Sequence, residues 1–325
     1  MVGMVGMYKN PTGPAISAIV VVPDKYDELW YTMQHLKKQT AASQMEIVFV
    51  LKTRQQLPLD MSDLKIFHCW CLVETASIKS IGYGFAAGIR QAHAPIVALT
   101  EDHSFPDEHW ADTFISRHKE TWVAVGPSMR NGNPVNTLSW VDFYQAYGDW
   151  AQPVVAGSPR HLPGHNSSYK RDILLSFGER LEDFMQAESV MHRHLTGLGY
   201  RLFLAPETCT SHHNFITWRD WIPSRYFTGR LYASVWSRDW PSLRRYLFTC
   251  ASPMIPFIRL WRVGRNICRR EKWYRAAQLL PPLFAGLAIE GLGQMMGYAF
   301  GAGNAAEKVA QYEFHRIQLA GTEVK

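Results

Sequence analysis

Three short, unbroken apolar runs separated by segments of helical periodicity constrain this chain more than any other feature. ISAIVVV (16–22), EIVFVL (46–51) and PIVALT (95–100) read as strands buried on both faces. Between the first two, Leu29, Met33 and Leu36 recur at helical spacing across residues 28–39. Residues 80–93 mix small and apolar side chains in a second helical pattern. A β-α-β-α-β order predicts a mostly parallel sheet with helices on both faces. Ligands of such sheets sit beyond the carboxyl ends of the strands. That rule singles out the loops after Val22, Leu51 and Thr100.

Further along, WVAVGP (122–127) reads as a strand, followed by a loop-rich stretch to about residue 163. LPGHNSSYKRDILLSFG (162–178) predicts a turn, a helix from near Tyr169 and a stop at Gly178. A longer helix is expected from Asp183 to Gly197. YRLFLAP (200–206) is then a strand leading into a loop that carries His212 and His213. Past Asn214 the chain becomes rich in Trp, Arg and Pro. This change places a domain boundary near residue 215, with domains at 15–215 and 216–325.

The second domain has two strongly apolar segments, 246–261 and 279–303, each interrupted by prolines, the latter also by Glu290. A bilayer span needs ~20 predominantly apolar residues. These segments are read either as core-facing helices or as an interfacial or re-entrant hairpin whose arginines meet lipid phosphates. Charge sharpens the second alternative. From residue 216 onward there are 16 Lys and Arg against 7 acidic residues, whereas the first 215 residues carry 18 against 21. Such a basic, aromatic-rich face suits anionic lipid or polyphosphate. With 47% hydrophobic and 19% charged residues, the 325-residue chain is not a disordered one. Five cysteines are too few and too scattered for a disulfide framework, which points to a reducing compartment. The opening MVGMVGMYKNPTGP has no basic region followed by an apolar run, so no signal peptide is expected.

Chemistry concentrates in TEDHSFPDEHW, where Glu101, Asp102 and His103 leave the carboxyl end of a buried strand together. Hard cations prefer oxygen, and first-row ions such as Mn²⁺ also accept imidazole. Glu188, in QAESVMHRHL, sits near a helix start and could act as a general base. His212, beyond the strand FLAPETCTSHHN, could supply a further metal ligand.

The order of these pieces resembles the inverting family-2 glycosyltransferases, over about residues 15–215. SAIVVVPDKYDEL is similar to their opening strand and Pro-containing nucleotide loop, AAGIRQAHAPIVALTEDHSFPDEHW to the helix, strand and metal turn, GHNSSYKRD to the asparagine turn before the acceptor-side helix, and AESVMHRHLTGLGYRL to the acidic helix. The resemblance implies a GT-A-type, Rossmann-like α/β fold with a mostly parallel sheet flanked by helices, followed by a mainly helical C-terminal region. It places Pro23, Asp24, Glu101 and Asp102 at the donor, and Asn166 and Ser167 on the acceptor side. Glu188 becomes the catalytic base, and Glu101, Asp102, His103 and His212 hold a divalent metal, Mn²⁺ or Mg²⁺. Four departures stand out. His103 replaces a carboxylate, which favours Mn²⁺. Leu51 and Lys52 replace the paired aspartates that read the nucleoside, leaving the base of the donor open. Phe85-Ala86 replace an Arg-Asn pair, and Ala187 replaces the first acidic member of the helix.

The implied activity is inverting transfer from a nucleotide sugar to a saccharide or lipid-linked acceptor, in the assembly of surface polysaccharide or glycan. The chain is then expected in the cytoplasm, peripheral at the inner face of the membrane, with an anionic membrane surface as a partner and no nucleic acid. The alternative is a non-catalytic nucleotide-sugar-binding partner subunit, as Leu51, Lys52 and Ala187 suggest. Nucleotidyl transfer fits less well, because PDKYDEL has no glycine for a phosphate loop.

Overall fold

The computed structural model describes residues 2–5, 13–22, 29–53 and 61–314; Pro23 and Asp24 lie outside them. The chain begins with β1 (Val2–Val5), β2 (Ile16–Val22), α1 (Trp30–Lys37), β3 (Met45–Leu51), β4 (Cys69–Glu74), α2 (Ile81–Gln91) and β5 (Ile96–Thr100). It continues through β6 (Ser104–Pro106), α3 (Trp110–Arg117), β7 (Ala124–Asn131) and α4 (Thr137–Tyr147). Next come β8 (Ser168–Lys170), α5 (Arg171–Leu175), α6 (Leu181–Gln186), α7 (Glu188–Gly197) and β9 (Leu202–His212). Five helices follow: α8 (Trp218–Trp236), α9 (Ser242–Ala251), α10 (Ile255–Arg270), α11 (Trp273–Phe300) and α12 (Ala305–Glu313).

The strands form one mixed sheet in the order β1-β4-β3-β2-β5-β8-β7-β9-β6. Its centre is parallel. β2 pairs with β3 and with β5, so that Val22 lies beside Leu51 and Val20 beside Thr100. The carboxyl ends of these strands therefore share one edge, as the apolar runs predict. All seven residues of β2 and all seven of β3 are buried, which is why their sequences do not alternate. β8 runs antiparallel to both β5 and β7, and β1 antiparallel to β4. Helix α2 presses onto β2: a Cβ on Gly88 would stand 2.4 Å from the Ile19 side chain, so glycine sets that approach.

Two compact units result, Met1–Arg130 with Gln152–Ser211, and Asn131–Ala151 with His212–Lys325. The first is the α/β unit. In the second, α4 is tied to the C-terminal helices by buried polar contacts. Asp142 accepts from the Trp221 indole at 2.8 Å and from the Phe215 amide at 3.1 Å. Gln145 donates to Glu290 at 2.7 Å, and the Tyr144 hydroxyl donates to Glu271 at 2.5 Å. Glu290 also pairs with Arg259. Burial opposes its charge, but Arg259 and Arg225 together hold the carboxyl below its ordinary range.

Local differences from the sequence reading have physical causes. Helix α4 falls in the stretch read as loop, because its buried residues run almost continuously from Leu138 to Gln145 and leave no polar face. The helix expected over 183–197 breaks at Ala187 (φ −148°) into α6 and α7. Tyr169 lies in β8, with helix beginning only at Arg171. His212 closes strand β9 instead of sitting in the loop beyond it. Helix α11 continues through Pro281 and Pro282 without a break.

Candidate active site

Strand β5 ends at Thr100, and the chain turns through Glu101, Asp102 and His103 before β6. Thr32 on α1 pins this turn: its hydroxyl lies 2.9 Å from the Asp102 carbonyl and 3.0 Å from that of Glu101. Asp102 and His103 are buried. The Asp102 carboxylate accepts from His103 Nδ1 at 2.5 Å. A proton held at Nδ1 makes Nε2 the lone-pair nitrogen, the usual device for aiming a histidine at a metal. That Nε2 is 3.8 Å from Glu101 Oε2.

His212 is oriented in the same way. Its Nδ1 lies 3.0 Å from Asn214 Oδ1. The Asn214 amide nitrogen donates to Asn131 Oδ1 and to the His212 carbonyl, so its oxygen accepts and His212 donates. The lone pair is again on Nε2. Within the α/β unit, Glu101 and His103 offer a carboxylate and an imidazole to a metal ion; in the second unit, His212 offers an imidazole with its lone pair readied in the same way. A carboxylate beside an imidazole suits a first-row divalent ion such as Mn²⁺ better than Mg²⁺, which favours an all-oxygen shell. The donor chemistry fits the expected metal.

Around Glu101 lies a second layer. Asn166 Nδ2 and Ser104 Oγ each donate to its Oε2 at 3.1 Å. His165 Nδ1 lies 3.2 Å from Glu101 Oε1, while its Nε2 faces the Glu188 carboxylate and lies 3.0 Å from the Met185 carbonyl. Burial opposes a charge on His165, yet the Glu188 and Glu101 carboxylates and their hydrogen bonds together raise its pKa well above the ordinary histidine value. The Phe85 ring covers this imidazole, with centroids 4.9 Å apart.

Glu188 is the first residue of α7, at the positive end of the helix dipole. Behind it, the His192 ring takes the Leu162 amide at Nδ1 (3.4 Å) and lies 2.9 Å from the Tyr169 hydroxyl at Nε2. Burial, with His161 nearby, lowers His192 to about 3 and keeps it neutral. Tyr169 in turn is raised well above the ordinary tyrosine value by burial and by Glu188.

The α/β unit thus gathers Glu101, Asp102, His103, Asn166 and Glu188 at the carboxyl edge of the sheet. Asn166 contacts the Glu101 turn itself. Ser167 is fully buried and its hydroxyl donates to the Pro163 carbonyl at 2.7 Å. Sequence reasoning missed His165, Gly164 and Phe85. In GHN the sequence pattern marks the asparagine and not the histidine, and Phe85 reads there only as the loss of a polar pair.

No protein-family model matches the chain, and no curated protein matches it by sequence. Solved structures do match. The crystal structure of S. aureus TarS 1–349 with UDP superposes over 96% of this chain and 93% of its own, at 14% identity and a TM-score of 0.50. The mannosyltransferase PcManGT from Pyrobaculum calidifontis, in complex with GDP-Man and Mn²⁺, covers 96% and 88% at 14% identity, also with a TM-score of 0.50. The fold defined by the central sheet and its flanking helices is the GT-A-type glycosyltransferase fold. At this identity the likeness is one of architecture.

Proposed function

We propose that this chain is a metal-dependent, inverting glycosyltransferase of the family-2 type. It moves a sugar from a nucleotide sugar to a saccharide or lipid-linked acceptor, in surface glycan assembly at the inner face of a membrane. The observation that carries this reading is the His165 link between Glu101 on the metal turn and Glu188 at the start of α7. Mn²⁺ would be held by Glu101 and His103, with His212 the further ligand that the sequence resemblance implies, and when bound it supplies Lewis-acid charge to the diphosphate. Asp102 keeps His103 in the ligating tautomer. The resemblance assigns Pro23 and Asp24 to the donor and Asn166 to the acceptor side; Ser167, fully buried with its hydroxyl on the Pro163 carbonyl, would shape that turn and not touch the acceptor.

Glu188 accepts the proton of the acceptor hydroxyl as that oxygen bonds to the anomeric carbon. The bond from this carbon to the diphosphate breaks, and its electron pair leaves with the nucleotide. A carboxylate has about four acceptor sites, so one imidazole contact leaves Glu188 room for the substrate hydroxyl. A general base in reach contributes ~10²–10⁴ in rate. The test is turnover of UDP- and GDP-sugars with Mn²⁺ by the wild type and by Glu188→Gln. Transfer lost with nucleotide binding retained supports the role; normal transfer in the variant contradicts it.

A second reading, a nucleotide-sugar-binding subunit without turnover, draws on Leu51, Lys52 and Ala187. Binding without any release of nucleoside diphosphate across the same donors would favour it.

A further inference from the structure

In the second unit, helices α9 and α10 meet at the turn Ser252–Met254. Every residue of α9 is exposed or half-exposed, including Leu243 at 70% and Leu247 at 56%. On α10, one face packs inward through Val263 and Ile267; Phe257, at the rim of the other face, is exposed on one side and has its ring centroid 5.5 Å from that of Phe284 on α11. The outer face begins apolar: after exposed Met254 in the turn, Phe257, Ile258 (63%) and Trp261 (69%) lie on one side of α10. The same face then turns basic at Arg262, Arg265 and Arg269, all exposed. Arg265 folds over the Trp261 ring at 5.8 Å. Trp273, 82% exposed, opens α11, separated from the end of α10 by two residues.

A continuous apolar row on a soluble surface marks a contact with something. Its charge says what. Residues 241–289 hold nine Lys and Arg against the single acidic residue Glu271, which lies beside Arg275 at 3.3 Å. A face that places apolar side chains and tryptophans next to arginines complements an anionic bilayer, where the apolar row enters the headgroup region and the arginines reach phosphates. Among the described residues, one helix is long and apolar enough to cross a membrane, Trp273–Phe300. That helix is α11, and it carries Glu290 in the buried network with Gln145 and Arg259. Its inner face is already part of the core of the unit.

We infer that α9 and α10 form an in-plane anchor that docks this chain on anionic phospholipid, without a spanning helix. The inference deepens the membrane-side reading proposed above, but it rests on the second unit alone. Its failure can therefore be told from failure of the transfer chemistry.

The experiment is co-sedimentation of the full chain with vesicles of pure phosphatidylcholine, and with vesicles in which a third of the lipid is phosphatidylglycerol. At low salt the wild type should pellet with the anionic vesicles and be released by alkaline carbonate. Met254→Ser/Trp261→Ser and, separately, Arg262→Glu/Arg265→Glu should each lower partitioning at least tenfold. The altered side chains are exposed, so thermal melting and the melting shift with UDP or GDP and Mn²⁺ should stay at wild-type values. Absence of wild-type binding, or binding indifferent to both pairs of changes, overturns the anchor. Carbonate-resistant retention overturns its in-plane character. Capture by RNA in place of vesicles would assign the basic face to nucleic acid and also overturn it.

Discussion

The carboxylate of Glu188 lies flush against the backbone of Gly164, where an added Cβ would stand 2.7 Å from Cδ of the glutamate. Glycine at this place is a condition for the position of Glu188, and so for its pairing with His165. Gly164→Ala should push the carboxylate out of place. Transfer should fall toward the loss seen on removing a general base, ~10²-fold or more. The melting shift produced by nucleotide and Mn²⁺ should remain. Steady-state rates and melting curves on the same preparation check this, and an alanine variant with full transfer would detach Glu188 from the reaction.

The short contact between Asp102 and His103 Nδ1 makes a prediction about metal. Asp102→Asn keeps the shape but no longer fixes the imidazole tautomer. Removing an orienting partner of this kind typically weakens metal binding ~10–100-fold. Mn²⁺ titration followed by electron paramagnetic resonance should show a loss in that range. His103→Ala should lose more, and equal affinity in all three proteins would rule out this turn as the metal site.

Two buried histidines set an acid limit on stability. Burial lowers His118 to about 4 and His192 to about 3, against ~6.5 in the unfolded chain. Between those values the unfolded state binds more protons. The stability these groups supply is therefore complete above about pH 6.5 and is lost as pH falls toward 3. Urea midpoints measured from pH 7 down to pH 4 should decline, and less steeply in His118→Gln. An unchanged slope in that variant would mean that His118 is already charged in the folded protein.

The ion pair of Arg259 and Glu290 should behave as a buried one. Arg259→Ala leaves the enclosed carboxylate to Arg225 and Gln145, so the loss should approach the cost of breaking a buried pair, about 3–5 kcal/mol. Arg259→Met with Glu290→Leu removes both charges and should recover most of that loss. Denaturant unfolding separates the two outcomes, since a single variant as stable as the double would place the pair in water.

Much of the α/β unit was legible because strands buried on both faces leave unmistakable runs such as ISAIVVV and EIVFVL. The turn at Glu101 was legible for a related reason, since it begins where such a run stops. Less visible were elements whose burial follows no simple period, such as α4, and short edge strands such as β6 and β8. His165 was hidden for a different reason. Its importance comes from touching Glu101 and Glu188, which are 64 and 23 positions away, and no local pattern encodes that meeting. Phe85 shows the same limit: its replacement of a polar pair registered as a loss, whereas the fold uses the ring to cover His165.

The most direct measurement is Mn²⁺-dependent release of UDP or GDP from a panel of their sugars, by the wild type and by Glu188→Gln at matched concentration. The account predicts turnover by the wild type on at least one donor, stimulated by a saccharide or lipid-linked acceptor. It predicts a fall of ~10²–10⁴ in Glu188→Gln, with the nucleotide-induced melting shift unchanged. Equal release by both proteins, or no release and no melting shift with any donor, would contradict it.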